Sequence, residues 1–231
     1  MKEKVSCIIP AFNEGKRISR VINIVKENSS IGEIIVVNDG SKDDTEKVIR
    51  KIKGIKIISY RKNKGKTFAV MTGIKKAKYV LILLLDADLE GLNNKNIQDL
   101  IDPVIEKKVD VTISLRKNTP FYSKMIGLDY LSGERVFYKS LINCKEFEGL
   151  GGYALEATMN KKIISNRLRI GVVPFPNVRT PFKYEKIGSV TKGILGEIAM
   201  IMQVHRAAGG IIQSLIQNNR MIRLRKIIKN Y

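Results

Sequence analysis

A wholly apolar run, Leu81-Ile82-Leu83-Leu84-Leu85, ends directly in Asp86-Ala87-Asp88-Leu89-Glu90. Hard carboxylate oxygens at that spacing suit Mg²⁺ or Mn²⁺ bound together with the phosphates of a ligand. A metal at such a place acts as a Lewis acid toward a departing diphosphate. A bare D-x-D is common, and two carboxylates in a loop can do no more than cap a helix; the position after a buried strand favours the metal reading. Further along, Glu156 is the acidic residue best placed to act on an acceptor. A hydroxyl acceptor must lose a proton as it attacks and needs such a base, whereas a phosphate acceptor is already an anion and does not. Arg135, Arg179, Lys183 and Lys186 are candidates to bind an acceptor or leaving phosphate. The sole histidine, His205, lies beside Arg206, where a surface position competes with a role as a further metal ligand.

The elements that must position these groups are legible from periodicity. Val5 to Ile9, Glu33 to Val37, Ile55 to Ser59, Tyr79 to Leu85 and Val109 to Ser114 are short and β-branched or leucine-rich, as strands buried on both faces are. Between them, Ile18, Val21, Ile22 and Val25 form one helical stripe, and Ile97, Leu100, Ile101, Val104 and Ile105 form another. Asp43 and Asp44 are placed to cap a helix through Ile49, and Lys66 to Ala77 supplies one more helix. Alternation of strand and helix predicts an open, doubly wound α/β sheet, mostly parallel, with helices on both faces. Ligands bind beyond the carboxyl ends of the strands in such a sheet. That rule selects Pro10 to Glu14, Asn38 to Ser41, Arg61 to Lys66, Asp86 to Glu90, and Arg116 with Lys117. Taken alone, Asp39-Gly40-Ser41 is equally a turn, and Asn63 to Lys66 equally a solvated basic loop.

Composition narrows the classes. The chain has 231 residues, 44% of them apolar and 28% charged, which is enough to bury a sizeable core and excludes a disordered tail or a disulfide-stapled mini-protein. Forty-two Lys and Arg against 22 Asp and Glu leave a formal charge of +20, which attracts phosphate in some form. A nucleic-acid-binding module is one reading of that charge, but aromatic residues interleaved with a basic patch are missing: there is no Trp, and Tyr231 is the tail's only aromatic. No nucleic acid is expected. Cys7 and Cys144 read as two reduced thiols rather than a disulfide or zinc site. The apolar runs are too short to span a bilayer, and the N-terminus passes straight into a strand, so a cytoplasmic location is expected.

Three spans follow: 1–118 as a ligand-binding half, 119–192 as an acceptor-side region of the same domain, and 193–231 as a basic helical tail. Glycines and prolines break the second into short pieces. In the third, Ile211, Ile212, Leu215, Ile216, Ile222, Ile227 and Ile228 form an imperfect apolar stripe, with Arg220, Arg223, Arg225, Lys226 and Lys229 around its end. Such a helix can lie on an anionic membrane surface, placing the protein peripherally on its inner face, or it can pack on the sheet.

Val5 to Glu14, Ile34 to Thr45, Asn63 to Gly73 and Tyr79 to Leu89 resemble, in order and with normal spacing, the nucleotide-sugar half of the family 2 glycosyltransferases. Ser132-Gly133-Glu134-Arg135 is similar to a later S-G-x-R segment of that family, and the branch most resembled makes dolichyl- or polyprenyl-phosphate sugars. The resemblance implies a GT-A fold and inverting, metal-dependent transfer of a hexose from a UDP-glucose or GDP-mannose type of donor to a polyprenyl or dolichyl phosphate. It further implies that Pro10, Phe12 and Glu14 line the nucleoside pocket, with Val37 and Asp39 at base and ribose. Asp86, Ala87, Asp88 and Glu90 would take diphosphate and Mg²⁺ or Mn²⁺; Arg116 would face the diphosphate; Lys66 matches a lysine of a G-K-G-like segment. Phe12 stands where tyrosine is usual, Asn38 replaces the first aspartate of D-D-G-S, and Glu90 stands in place of glutamine. Transfer to a soluble phosphorylated acceptor or a sugar hydroxyl is the alternative within the same enzyme class.

Overall fold

The computed structural model describes residues 3–119, 125, 127–147, 149–150, 154–182, 184–185, 191, 195, 199, 202, 206 and 209–227. The chain opens with β1 (Val5–Ala11), α1 (Ile18–Glu27), β2 (Ile31–Asp39), α2 (Thr45–Arg50), β3 (Lys56–Tyr60), α3 (Lys66–Lys76), β4 (Leu81–Leu84), α4 (Asn94–Ile105) and β5 (Val111–Arg116). This is the alternation that periodicity predicts. The second half adds β6 (Arg135–Tyr138), α5 (Ala154–Ser165), β7 (Ile170–Phe175), α6 (Ile211–Leu224) and β8 (Arg225–Ile227).

Among the described residues the strands form one sheet in the order β3-β2-β1-β4-β6-β5-β7-β8. Every pairing is parallel except those of β6, which runs antiparallel between β4 and β5. Because successive side chains on a strand point to opposite faces, each strand feeds two cores. Val5, Cys7 and Ile9 of β1 meet the stripes of α1 and α4 on one face, while Ile8 meets α3 and α5 on the other. Ile18, Val21, Ile22 and Val25 of α1 are all fully buried, as are Ile97, Leu100, Ile101 and Val104 of α4. Each such side chain contributes about 1.5–3 kcal/mol by leaving water.

Helix starts follow local chemistry. Asn93 accepts from the Asn96 amide at 2.9 Å and Asn96 returns the bond to the Asn93 amide at 3.1 Å, a reciprocal cap on α4. At α2 it is Asp43, not Asp44, that supplies the side-chain bond, accepting from the Thr45 amide at 3.0 Å.

The tail is docked where it is described. Helix α6 lies against α5 with Met221 fully buried, and β8 extends the sheet beside β7. Arg220 and Arg223 remain exposed. His205, Lys183 and Lys186 lie outside the described residues. No helix among the described residues is long and apolar enough to cross a membrane.

Candidate active site

The carboxyl ends of β1, β2 and β4 converge with the start of α3 on a cleft of about 340 Å³. Pro10, Phe12 and Glu14 enter from β1, Asp39 from β2, Lys66 from α3, and Asp86, Ala87 and Asp88 from β4. Phe12 is 43% exposed at the mouth, a large apolar ring left open to solvent. Glu14 is buried, its carboxylate 3.3 Å from the Arg17 guanidinium.

Asp39 builds the wall between β2 and α3. Its carboxylate accepts from the Lys64 amide at 2.9 Å and the Gly65 amide at 2.7 Å, while Asn63 donates to its carbonyl at 3.1 Å. Gly40, at φ +72°, lets this loop close: a Cβ there would lie 2.6 Å from the Asn63 nitrogen. The Asp-Gly pair is therefore both turn and clamp, and its position at a strand end brings Lys66 to the cleft.

Lys66 joins the two halves of the site. Its Nζ lies 2.8 Å from Asp86 Oδ1 and 2.9 Å from Glu156 Oε1. Burial disfavours the ammonium, but the fields of Asp86 and then Glu156 outweigh it and raise its pKa above the ordinary lysine range. Gly133 leaves the room for this cluster, since a Cβ there would sit 2.8 Å from both Asp86 oxygens and from Lys66 Nζ. Glu156, in the first turn of α5, is 3% exposed; its second oxygen, Oε2, is buried without a hydrogen-bond partner.

Behind this cluster lies a polar network of which strand-end reasoning finds only Arg116. Arg116, at the end of β5, pairs with Asp129 at 3.1 Å and Glu134 at 3.5 Å, and donates to Thr180 Oγ1 at 3.2 Å. Ser114 and Ser132 each donate to Glu134 Oε2 at 2.7 Å, and Glu134 Oε1 has no hydrogen-bond partner. Burial raises the pKa of the Glu134 carboxyl, Arg116 opposes it, and nearby Asp86 adds to the rise. The signal that could have found these residues is the direction of β6. Antiparallel pairing sets Arg135 opposite Leu84, so the residues before β6, not after it, meet the edge where β4 ends.

Three expected site residues are placed elsewhere. Val37 is fully buried in the core between β2 and α3, so its side chain does not line the cleft. Arg135 is 1% exposed, and its guanidinium is spent on the Ser132 and Tyr130 carbonyls and on Asn160 Oδ1 at 2.7–3.0 Å. Glu90 is bound to Arg179, by backbone bridge and by a 2.8 Å ion pair. The expected set of Asp86, Asp88 and Glu90 is thus not assembled, and among the described residues no group of three His, Cys, Asp or Glu side chains is gathered for a metal. Asp86 and Asp88 alone, at the mouth of the cleft, still fit a hard cation that takes its remaining ligands from phosphate and water, as Mg²⁺ does.

Comparison with known proteins bears on the family and the fold. A family model described as glycosyl transferase family 2 matches residues 6–168. A UDP-N-acetylglucosamine–dolichyl-phosphate N-acetylglucosaminyltransferase of Methanococcus voltae is 28% identical over 229 residues, covering 80% of this chain and 90% of the relative. A dolichol-phosphate mannosyltransferase of Pyrococcus furiosus is 30% identical over 156 residues, covering 62% of this chain but 44% of its own length. Among solved structures, glucosyl-3-phosphoglycerate synthase of Mycobacterium tuberculosis with Mn²⁺, UDP and glucosyl-3-phosphoglycerate superposes with a TM-score of 0.69 at 19% identity, over 90% of this chain and 81% of that one. That likeness shows the fold.

Proposed function

This chain belongs to glycosyl transferase family 2 and is a glycosyltransferase, and from that premise we propose that it moves a hexose from a UDP-glucose or GDP-mannose type of donor to a polyprenyl or dolichyl phosphate at the cytoplasmic face of a membrane, with inversion at the anomeric carbon. The observation that carries the acceptor class is the engagement of Glu156. One of its oxygens is held by Lys66 and the other is buried, so Glu156 is not offered to deprotonate an acceptor hydroxyl. A phosphate acceptor needs no such base. The names of the Methanococcus and Pyrococcus relatives, both dolichyl-phosphate sugar transferases, support the same choice.

In this reading, Pro10, Phe12, Glu14 and Asp39 form the nucleoside end of the cleft, and Asp39 also holds the loop that delivers Lys66. Asp86 and Asp88 would hold Mg²⁺ or Mn²⁺, which supplies charge neutralisation to the leaving diphosphate. The Mn²⁺ and Mg²⁺ complexes of the mycobacterial fold relative support that cofactor. Lys66 adds a fixed positive charge beside Asp86, while Arg116, paired with Asp129 and Glu134, adds positive charge from behind the cleft. Glu156 keeps Lys66 oriented and acts through it.

The test is transfer from labelled UDP-glucose, GDP-mannose and UDP-N-acetylglucosamine in Mn²⁺ or Mg²⁺, with polyprenyl phosphate present or omitted. Label should enter an organic-extractable product only when the lipid phosphate is supplied. Equal transfer to a soluble phosphorylated acceptor or a sugar hydroxyl without lipid would replace this reading.

A further inference from the structure

Among the described residues that line the cleft, Lys66 is the single cation, set against the carboxylates of Glu14, Asp39, Asp86 and Asp88. Two of these carboxylates are engaged by the protein around them: Glu14 pairs with Arg17, and Asp39 takes the Lys64 and Gly65 amides. Asp86 is engaged from within the cleft itself, because its Oδ1 lies 2.8 Å from the Lys66 ammonium. An oxygen held by one cation is not offered in full to another. The lysine is in turn shared, since Glu156 Oε1 lies 2.9 Å from the same Nζ. With its side chain 4% exposed and Oε2 lacking a hydrogen-bond partner, the Glu156 carboxylate leans on that ammonium for compensation. The Lys66 side chain keeps 25% exposure, so its charge stands at the boundary between a buried anion and the open cleft.

An ammonium in that place acts with opposite sign on two kinds of ligand. Toward a bare divalent cation it is a repelling charge and a competitor for Asp86. Toward a diphosphate that brings its cation along, a complex that keeps net negative charge, it is an attracting charge and a hydrogen-bond donor. Glu156 sets the balance, because the share of Nζ that it takes is lost to Asp86. We propose, on the reading that Asp86 and Asp88 hold the metal, that Lys66 and Glu156 make the cleft select the metal–diphosphate complex over the bare metal ion. Lys66 is the resident counter-ion of Asp86 until a diphosphate arrives, and Glu156 is the positioning residue that keeps the ammonium shared.

Two affinities measured on the same variants test this: that for Mn²⁺ alone, from the electron paramagnetic resonance signal of the free ion, and that for UDP or GDP at saturating Mn²⁺, from calorimetry. Lys66→Met should tighten Mn²⁺ binding by on the order of tenfold, the scale of altering a group that contacts a metal ligand. The same substitution should weaken nucleotide binding by on the order of tenfold, the scale of losing one charge-assisted hydrogen bond. Lys66→Gln, which keeps hydrogen bonding without the charge, should move both affinities in the same two directions. Glu156→Gln keeps the shape of the side chain and leaves the ammonium to Asp86, so Mn²⁺ binding should weaken several-fold; added to Lys66→Met it should change Mn²⁺ binding by less than about twofold. Urea midpoints report that each variant is folded. Affinities for Mn²⁺ and nucleotide that shift in one direction together in both Lys66 variants, or a Glu156→Gln effect that persists without Lys66, overturn the proposal and leave the metal reading standing. Mn²⁺ bound by neither the parent nor Lys66→Met overturns both.

Discussion

The two halves of the site use charge in opposite ways. On the β1, β2 and β4 side, carboxylates stand at the ends of parallel strands and line an open cleft: Asp39, Asp86 and Asp88. On the β5 and β6 side, charges of the same kind are drawn inward and spent on one another. Asp129, Glu134 and Arg135 are at most 1% exposed, tied to Arg116, Ser114, Ser132 and Asn160. In the proposed function the first half meets the donor, and the second is a polar wall behind it. Lys66 is the joint, touching Asp86 from one side and Glu156 from the other.

Substitutions chosen from each half should therefore fail differently, and the largest separation is between Asp88→Asn and Arg135→Met. Asp88→Asn removes a negative oxygen from the cleft mouth without changing volume. Transfer should fall by on the order of 10³-fold, the scale of losing one electrostatic element of a preorganised site, with the thermal midpoint close to that of the parent. Full activity of the folded variant in metal-replete buffer would break the assignment of Asp88 to ligand binding. Arg135→Met should do the reverse first: it strands two buried carbonyls and Asn160, a loss of about 3–5 kcal/mol. Urea unfolding measures it, and an unshifted midpoint would mean that the wall is not built as described.

The same contrast explains what the amino-acid sequence reveals and what it hides. Parallel strands put cleft-lining residues immediately after an apolar run, so Pro10 to Glu14, Asp39 and Asp86 to Asp88 are found by reading forward from each strand. The helical stripes of α1 and α4 are equally plain, because their apolar residues face one core. Strand β6 defeats this reading twice. It is four residues long, and it runs backward, so the residues that reach the site, Gly133 and Glu134, precede it. Val37 misleads for a different reason: it neighbours Asp39, but its side chain lies buried in the core. Glu90 is one turn too far along, where backbone pairing with Arg179 carries it from the cleft.

A subtler probe of the joint is Gly133→Ala. The added methyl would stand 2.8 Å from both Asp86 oxygens and from Lys66 Nζ. Those atoms are the ends of flexible side chains, so the fold can yield with little change in stability. What must move is the Asp86–Lys66 pair itself. The divalent-ion concentration for half-maximal transfer should rise about tenfold, the scale of disturbing a group that orients a metal ligand, while the urea midpoint stays close to the parent's. If that concentration is unchanged, the pair tolerates displacement and Gly133 matters only for packing.

The smallest effect expected lies at the other edge of the cleft, where Asp43 ties α2 to the loop after β1. Its carboxylate accepts from the Thr45 amide and the Gly15 amide, each at 3.0 Å, and from the Thr45 hydroxyl. Partial burial pushes its pKa up, but these hydrogen bonds, with the Thr45 hydroxyl foremost, outweigh it and hold the carboxyl below the ordinary aspartate value. A folded-state pKa below the unfolded one stabilises the protein above the unfolded value, near 3.8, and that contribution is lost as pH falls through the folded value. Asp43→Ala should cost about 1 kcal/mol at neutral pH, the usual scale for losing a helix cap. Because only the ionised carboxylate makes the difference, the parent and the variant should converge in stability as the pH is lowered below about 4. Urea midpoints measured across that range decide the point. A gap that persists in acid would trace the effect to the shape of the loop rather than to its charge. Asp43 would then belong with the polar wall of the second half and not with the ionised carboxylates of the first.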